Sequence, residues 1–334
     1  MLIQGACILL GVVCTSAVLN AQATAPVRVA PGSDAADRRR AVHGLDLLLD
    51  GDIDGAAQIF RQIQVEDPQS PLGYLLEADA VWWTIYFSTA NLFDVDVFAA
   101  TDLPTTPYDA HFDDLVDLAI RKSEARIRAH EDLARSYLYE GMAYALRARL
   151  TGLRDRDLPT ARSGKKMRAL LLKSLELDPS LTDAYLGIGI YNYFVDTLSA
   201  VVKILAFFIR LPGGSRIDGV RQMQLAADKG ELTSEEAKFF LAKDYTRGNE
   251  KQYAKSMQLF QHLHHRYPDN PFWLMLIGSV HFRMSERDKG EQCYWEIYRS
   301  TASQKTVVDR ALREASIIAL QRLHPGQDLD KLNH

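Results

Sequence analysis

Residues 270–299, NPFWLMLIGSVHFRMSERDKGEQCYWEIYR, decide the fold. The dipeptide Asn270-Pro271 is typical of a helix start, with asparagine as the N-cap and proline in the first turn. Gly278 and Gly290 lie twelve residues apart, each inside an amphipathic helical pattern. Because glycine allows two helix backbones to approach closely, the stretch predicts a helical hairpin whose helices cross at these two positions.

Small residues recur at the same two places along most of the chain. The first helix of each predicted pair carries one, at Gly44, Ala78, Gly141, Gly189, Ala242 and Gly278. The second helix carries the other, at Ala56, Ala119, Met167, Gly219, Ala254 and Gly290, and only Met167 is large. The spacing from each second-helix member to the next first-helix member is 22 residues three times, then 23 and 24. A period this regular predicts a repeated helix pair.

These spacings resemble the tetratricopeptide repeat family, whose unit is a helix–turn–helix of about 34 residues. Aromatic residues at Phe60 and Tyr294 and helix-ending prolines at Pro68 and Pro179 also match the family pattern. The resemblance implies an all-α solenoid of about six helix pairs, with units near 37–70, 71–133, 134–181, 182–234, 235–270 and 271–304. Residues 305–334 are then expected to form a capping helix and tail, because an array needs a cover for its last apolar face.

Three units carry insertions between their first and second helices. The two small residues lie twelve apart in units one, five and six, but 41, 26 and 30 apart in units two, three and four. Because such connections share one edge of a stacked array, the insertions should form a common surface. The charged stretch 151–166, TGLRDRDLPTARSGKK, is expected to be one of these loops. Farther along, Thr233 followed by Glu236 predicts a capping box.

The third insertion contains DTLSAVVKILAFFIRLPGG, residues 196–214. It is too short and too charged to span a bilayer. Three interpretations remain open: a helix buried against the other insertions, a partner-binding or dimerising face that includes Lys203, Phe208 and Arg210, or a helix lying on a membrane surface. The last would give peripheral membrane contact through residues 198–211.

The first 27 residues contain no charged side chain. An apolar segment followed by Ala21-Gln22-Ala23 resembles a bacterial secretory signal peptide, expected at 1–23, with a flexible segment at 24–36. This pattern predicts a periplasmic or secreted protein, and an uncleaved N-terminal anchor is the alternative. Cleavage would leave Cys293 as the one cysteine of the mature chain, so no intramolecular disulfide is expected.

No catalytic, cofactor or metal motif is complete in the sequence. HEDLA at 130–134 has Ala134 where a zinc protease needs its second histidine, and SGKK at 163–166 lacks parts of a phosphate-binding loop. The histidines of HLHH at 262–265 are spaced around a helix rather than along one face. We therefore predict a non-enzymatic protein without a cofactor or metal.

The repeat resemblance implies an interaction scaffold that binds a peptide or protein partner. A total of 39 basic and 43 acidic residues gives a formal charge of −4, which argues against a nucleic-acid partner. Aromatic and basic side chains are expected to line the concave groove, a mixture that suits an acidic or extended peptide. The residues predicted to do so are Tyr193, Lys243, Arg247, Phe282 and Arg283. Side chains that only pack or solvate the groove are the alternative.

Two other functions stay open. One is a small-ligand-binding accessory subunit of a transport system, which an enclosed pocket near Trp82 and Trp83 would favour and an open groove would oppose. The other is a cell-wall hydrolase, which would need an isolated pocket containing a buried glutamate or aspartate.

Overall fold

The computed structural model describes residues 33–89, 92, 103–197 and 211–332, and all regular elements in these ranges are helices. The first seven are α1 (Ser33–Leu49), α2 (Ile53–Glu66), α3 (Leu72–Thr89), α4 (Asp109–Arg128), α5 (Leu133–Leu153), α6 (Asp157–Leu177) and α7 (Ala184–Thr197). The remaining seven are α8 (Arg216–Lys229), α9 (Ser234–Thr246), α10 (Tyr253–Arg266), α11 (Phe272–Arg283), α12 (Arg287–Ser300), α13 (Val307–Leu323) and α14 (Leu329–Leu332).

Helices α1 to α12 pack as six consecutive pairs, and α13 packs against α12 as a cap. The predicted all-α, solenoid-like architecture is therefore confirmed. The helix start predicted at Asn270 also agrees locally, because its side chain accepts a hydrogen bond from the amide of Phe272, as that of Ser70 does from the amide of Leu72. Among the described residues, no helix has the length and apolar character needed to cross a membrane.

The small residues lie where paired helices cross. A Cβ atom built on Gly278 would lie 2.7 Å from the ring of Tyr294, and one built on Gly219 would lie 2.7 Å from the carbonyl oxygen of Gly189. Real Cβ atoms do not approach other atoms this closely, so a larger residue would push the paired helices apart. Close crossings thus hold the pairs together as the repeat pattern predicts.

The predicted position of the small residue at the helix crossing in α10 is wrong by two residues. Ala254 is exposed, whereas Ser256 is fully buried. Ser256 lies 22 residues before Gly278, so the corrected position also restores the usual spacing. Alanine is small enough to fit the pattern, but burial along this helix follows Ser256, Met257, Phe260 and Leu263. The two additional residues therefore belong to the connection between α9 and α10.

The insertion of unit three is not the loop that its charges suggest. Helices α5 and α6 each extend over 21 residues, and only residues 154–156 interrupt them. The guanidinium of Arg154 donates to Asp109 at 2.7 and 2.9 Å and to the carbonyl oxygen of Leu103. These bonds hold the turn against the end of the first insertion. The charged residues on either side of the turn therefore belong to two helices, each with one face in solvent.

The predicted capping box at Thr233 and Glu236 is also wrong. The Thr233 hydroxyl donates to Asp183 at 2.9 Å instead of capping α9. A capping box does form at the start of α13, where Thr306 and Asp309 bond each other's backbone amides. Thr233 does not cap the helix because its hydroxyl bonds Asp183 instead. Asp183 is held in place there because it also accepts the amides of residues 232 and 233.

The array curls back so that its early and late units meet. The side chains of Asn270 and Trp273 both donate to the carbonyl oxygen of Leu49, at 2.9 and 3.0 Å. Tyr267 donates to Asp46 at 2.6 Å. These contacts lock the end of α1 against the connection between α10 and α11.

Helix α3 occupies the centre of this arrangement. Thirteen of its eighteen residues are buried, so it has no solvent face of normal width. Trp83 packs against Phe239 of α9 and Phe272 of α11, and α3 also contacts the capping helix α13. The concave side of the array is therefore filled by the protein's own helix along this part of its length.

Candidate functional site

A cavity of about 680 Å³ lies between α3, α5, α6, α7 and α9. Its volume falls within the range of about 300–1,000 Å³ that is typical of small-molecule sites. Most of the wall is aliphatic or aromatic, and the residues involved include Leu75, Leu146, Met167, Leu186, Ile190 and Phe240. A wall of this kind can desolvate an apolar molecule but offers few groups to orient it.

The extra helical turns of unit three form one side of this cavity. Lining residues extend from Met142 to Leu153 on α5 and from Asp157 to Leu171 on α6. Gly152 and Gly164 keep this side open, because a Cβ atom on either would meet nothing closer than 3.6 Å. The insertion that resembled a charged loop therefore builds a cavity wall.

The two ends of the third insertion also reach the cavity. Val195 lies before residues 198–210 and Leu211 directly after them, and both line the cavity. The Tyr191 hydroxyl donates to the carbonyl oxygen of Pro212 at 2.7 Å and so fixes the re-entering chain. Lys203, Phe208 and Arg210, which were predicted as partner-binding residues, lie outside the described residues.

Three charged side chains from three helices meet at the cavity wall, and we refer to them as the Asp79–Arg149–Glu236 cluster. The Arg149 guanidinium on α5 lies 3.4 Å from the Asp79 carboxylate on α3 and 2.6 Å from the Glu236 carboxylate on α9. No more than 16 % of any of the three side chains is exposed. One cation is therefore shared by two largely buried anions.

Aromatic rings surround the arginine of this cluster. The Arg149 guanidinium lies 5.4 Å from the centre of the Trp82 ring and 5.1 Å from that of the Phe240 ring. Contacts at these distances are cation–π interactions, which strengthen when water is excluded. Trp82 is thus part of the cavity wall.

Burial raises the pKa of the Asp79 carboxyl above its usual range, and the negative charge of Glu236 raises it further. The positive charge of Arg149 acts in the opposite direction but does not restore the ordinary pKa. The cluster therefore either carries a surplus negative charge or holds a proton on Asp79.

Asp183 is a further acidic residue at the cavity, but it is engaged by the backbone. It accepts the amides of Leu232 and Thr233 at 2.8 and 2.9 Å and the Thr233 hydroxyl at 2.9 Å. Burial raises its pKa, whereas these bonds lower it. The arrangement ties the start of α7 to the start of α9 and leaves Glu236 facing Arg149.

Two of the predicted groove residues, Tyr193 on α7 and Lys243 on α9, are buried, and Arg247, directly after α9, is partly buried. Tyr193 is fully buried, and Lys243 is 4 % exposed with its ammonium 5.5 Å from the Phe239 ring. Arg247 donates to Asp244 at 2.9 Å and lies 4.8 Å from the Phe194 ring. The contacts of these three side chains are all intramolecular.

The two predicted groove residues on α11 have similar surroundings. Phe282 stacks on Tyr294 with ring centres 5.4 Å apart. Arg283 donates to the carbonyl oxygen of Thr246 at 3.4 Å, next to Arg247. The role of these residues in binding a partner stays a prediction, because their contacts here account only for packing.

Sequence reasoning missed Asp79, Arg149 and Glu236 as a group. Asp79 had a detectable signal, since it is the one charged residue in the mainly apolar stretch 78–87. Arg149 is one of several arginines near the second insertion, and Glu236 had been explained as a helix cap. Only the fold brings the three together.

No protein-family model matches the chain, and no curated protein matches it. Across the described ranges, no group of three or more histidine, cysteine, aspartate and glutamate side chains could hold a metal ion.

Proposed function

We propose that this protein is a non-enzymatic binding protein that holds a small, largely apolar molecule in the ligand cavity. The largely apolar, partly open cavity between five helices is the observation that carries the proposal. Its position beside Trp82 supports a small-ligand-binding subunit over a peptide scaffold.

The arrangement of the central helix supports the same choice. A peptide scaffold needs an accessible concave groove, whereas α3 fills much of that side here. The groove residues proposed for peptide contact are also engaged internally, with Tyr193 and Lys243 at 0 and 4 % exposure. Peptide binding would require these side chains to rearrange.

A cell-wall hydrolase has less support, although Asp79 does lie in a pocket. Its carboxylate and that of Glu236 both contact Arg149, and the surrounding wall is mainly apolar. Polysaccharides present many hydroxyl groups, which such a wall could not satisfy by hydrogen bonding.

The cellular setting follows from the sequence patterns. We propose a member of the tetratricopeptide repeat family located in the bacterial periplasm or secreted, with the cavity serving ligand capture beside a transport system. The repeat spacings and the uncharged N-terminal segment support this setting.

The test is a fluorescence titration of the full chain with N-phenyl-1-naphthylamine, an apolar dye that brightens in apolar surroundings. Gly164→Phe should fill the cavity, because a Cβ atom at Gly164 meets only the Tyr191 ring, at 3.6 Å. Gly248→Phe is the matched control, since Gly248 has no heavy atom within 4 Å of its built Cβ and does not line the cavity.

We expect dye affinity to fall roughly tenfold or more in Gly164→Phe, about 1.4 kcal/mol, and to stay unchanged in Gly248→Phe. Thermal unfolding of both variants would verify that they remain folded. Absence of dye binding, or equal binding by both variants, would overturn the cavity as the binding site.

A further inference from the structure

The charges on the cavity wall are unbalanced. Among the described residues that line it, the acidic side chains are Asp79, Asp157, Asp183 and Glu236, and the basic one is Arg149. Asp157 is exposed at the rim, and Asp183 is held by three hydrogen-bond donors. The imbalance that a bound molecule would meet deep in the cavity is therefore that of the Asp79–Arg149–Glu236 cluster.

Arg149 is poorly placed to receive an anionic ligand. Its guanidinium already lies within 3.4 Å of Asp79 and 2.6 Å of Glu236, and it faces the Trp82 and Phe240 rings. A carboxylate or phosphate approaching it would meet the two carboxylates at short range. Repulsion between like charges is strong where water is largely excluded.

We infer that the ligand is an apolar molecule carrying one amine group, positively charged at neutral pH, that lies beside Asp79 and Glu236. This inference rests on the proposed function of the cavity. An ammonium at that point would balance the second carboxylate of the cluster, leaving two cations facing two anions. The aliphatic wall formed by residues such as Leu146, Met167 and Ile190 would cover the apolar body of the ligand.

The raised pKa of Asp79 agrees with this picture, because burial and the negative charge of Glu236 both disfavour its ionised form and Arg149 alone does not offset them. An added ammonium would favour the ionised carboxylate. Binding of a cationic ligand should therefore release a proton from the protein whenever Asp79 is protonated beforehand.

The experiment compares three probes with the same eight-carbon chain: octylamine, octanol and octanoate. Each competes against N-phenyl-1-naphthylamine on the full chain at pH 7.5, below its micelle concentration. We expect octylamine to bind at least tenfold more tightly than octanoate, about 1.4 kcal/mol, with octanol between them. Calorimetry in two buffers of different ionisation enthalpy would measure proton release.

Two isosteric variants locate the selectivity. Asp79→Asn and Glu236→Gln should each lose most of the preference for octylamine over octanol while retaining octanol binding. Asp114→Asn is the matched control, because Asp114 is exposed on α4 and does not line the cavity. If Asp79→Asn fails to fold, Glu236→Gln carries the comparison, since it leaves Arg149 with one anion.

The outcomes separate this inference from the proposal beneath it. Octanol binding without any preference for octylamine, or a preference that survives both variants, would overturn the amine assignment and leave the cavity function intact. Failure of the dye and of all three probes to bind the folded protein would overturn the proposed function itself.

Discussion

Units three and six are both helical hairpins, but only unit three carries extra residues between the two positions where its helices cross. In unit six, α11 and α12 have 12 and 14 residues and cross with Gly278 against the Tyr294 ring. In unit three, α5 and α6 have 21 residues each, and Gly141 contacts Leu171 at the crossing. The extra helical turns beyond that crossing form one side of the ligand cavity. The crossing thus builds the scaffold, and helix length beyond it builds the site.

Arg149→Met is the substitution expected to destabilise unit three most. Two largely buried carboxylates would then face each other without a cation, which should cost roughly 4 kcal/mol of unfolding free energy near pH 8. The loss should shrink as the pH falls, because protonation of Asp79 removes the repulsion. Urea denaturation at several pH values would measure both effects.

Arg147→Met provides the matched control for this substitution. Arg147 pairs with Asp117 on the surface, where the Asp117 side chain is 53 % exposed. Surface pairs contribute about 0–1 kcal/mol, so this variant should remain close to the wild type at all pH values. Equal losses in the two variants would contradict the role given to Arg149.

Glycine-to-leucine substitutions compare the two units directly. Gly278→Leu should destabilise the protein by roughly 3 kcal/mol, because its side chain must displace the Tyr294 ring at a close crossing. Gly152→Leu should cost less than about 1 kcal/mol, since the built Cβ meets only Thr160, at 3.9 Å, and leucine is the better helix former. Chemical denaturation would measure both, and similar losses would show that unit three is as tightly packed as unit six.

Two helix caps test the closure that brings unit six back to unit one. Asn270 caps Phe272 and also bonds the carbonyl oxygen of Leu49, whereas Ser70 only caps Leu72. Asn270→Ala should therefore cost roughly 2 kcal/mol, against roughly 1 kcal/mol for Ser70→Ala. Hydrogen exchange at α1 should rise in the first variant only. Unchanged exchange there would indicate that the closure contributes little.

An effect spread over two pH units is expected at Asp244, a buried acid with its own arginine rather than a shared one. Burial raises its pKa to about 6, so the native state favours the protonated form. Its contribution to stability is therefore greatest below pH 4 and is lost as the pH rises through 6. Asp244→Asn should reduce this decline by roughly 1 kcal/mol per pH unit. Thermal unfolding between pH 4 and 7 would measure it, with exposed Asp114→Asn showing no such change.

Much of the fold was predictable because helix pairing depends on local spacing. Prolines at 68, 179 and 268 each follow the last residue of a helix by two positions. The error at Ala254 arose because a small residue fits the pattern whether or not it is buried. The error at Thr233 arose because the competing acceptor, Asp183, is fifty residues away in the chain.

The repeated small residues and their spacing determined, without further information, that this chain forms stacked helix pairs. Close backbone approach requires a small side chain at each crossing, and that requirement is written into the local sequence. Tertiary structure alone decided that the array curls back, that α3 fills its centre, and that Asp79, Arg149 and Glu236 meet at a cavity. Those outcomes depend on how curvature accumulates over six pairs, which brings residues 70 and more positions apart into contact.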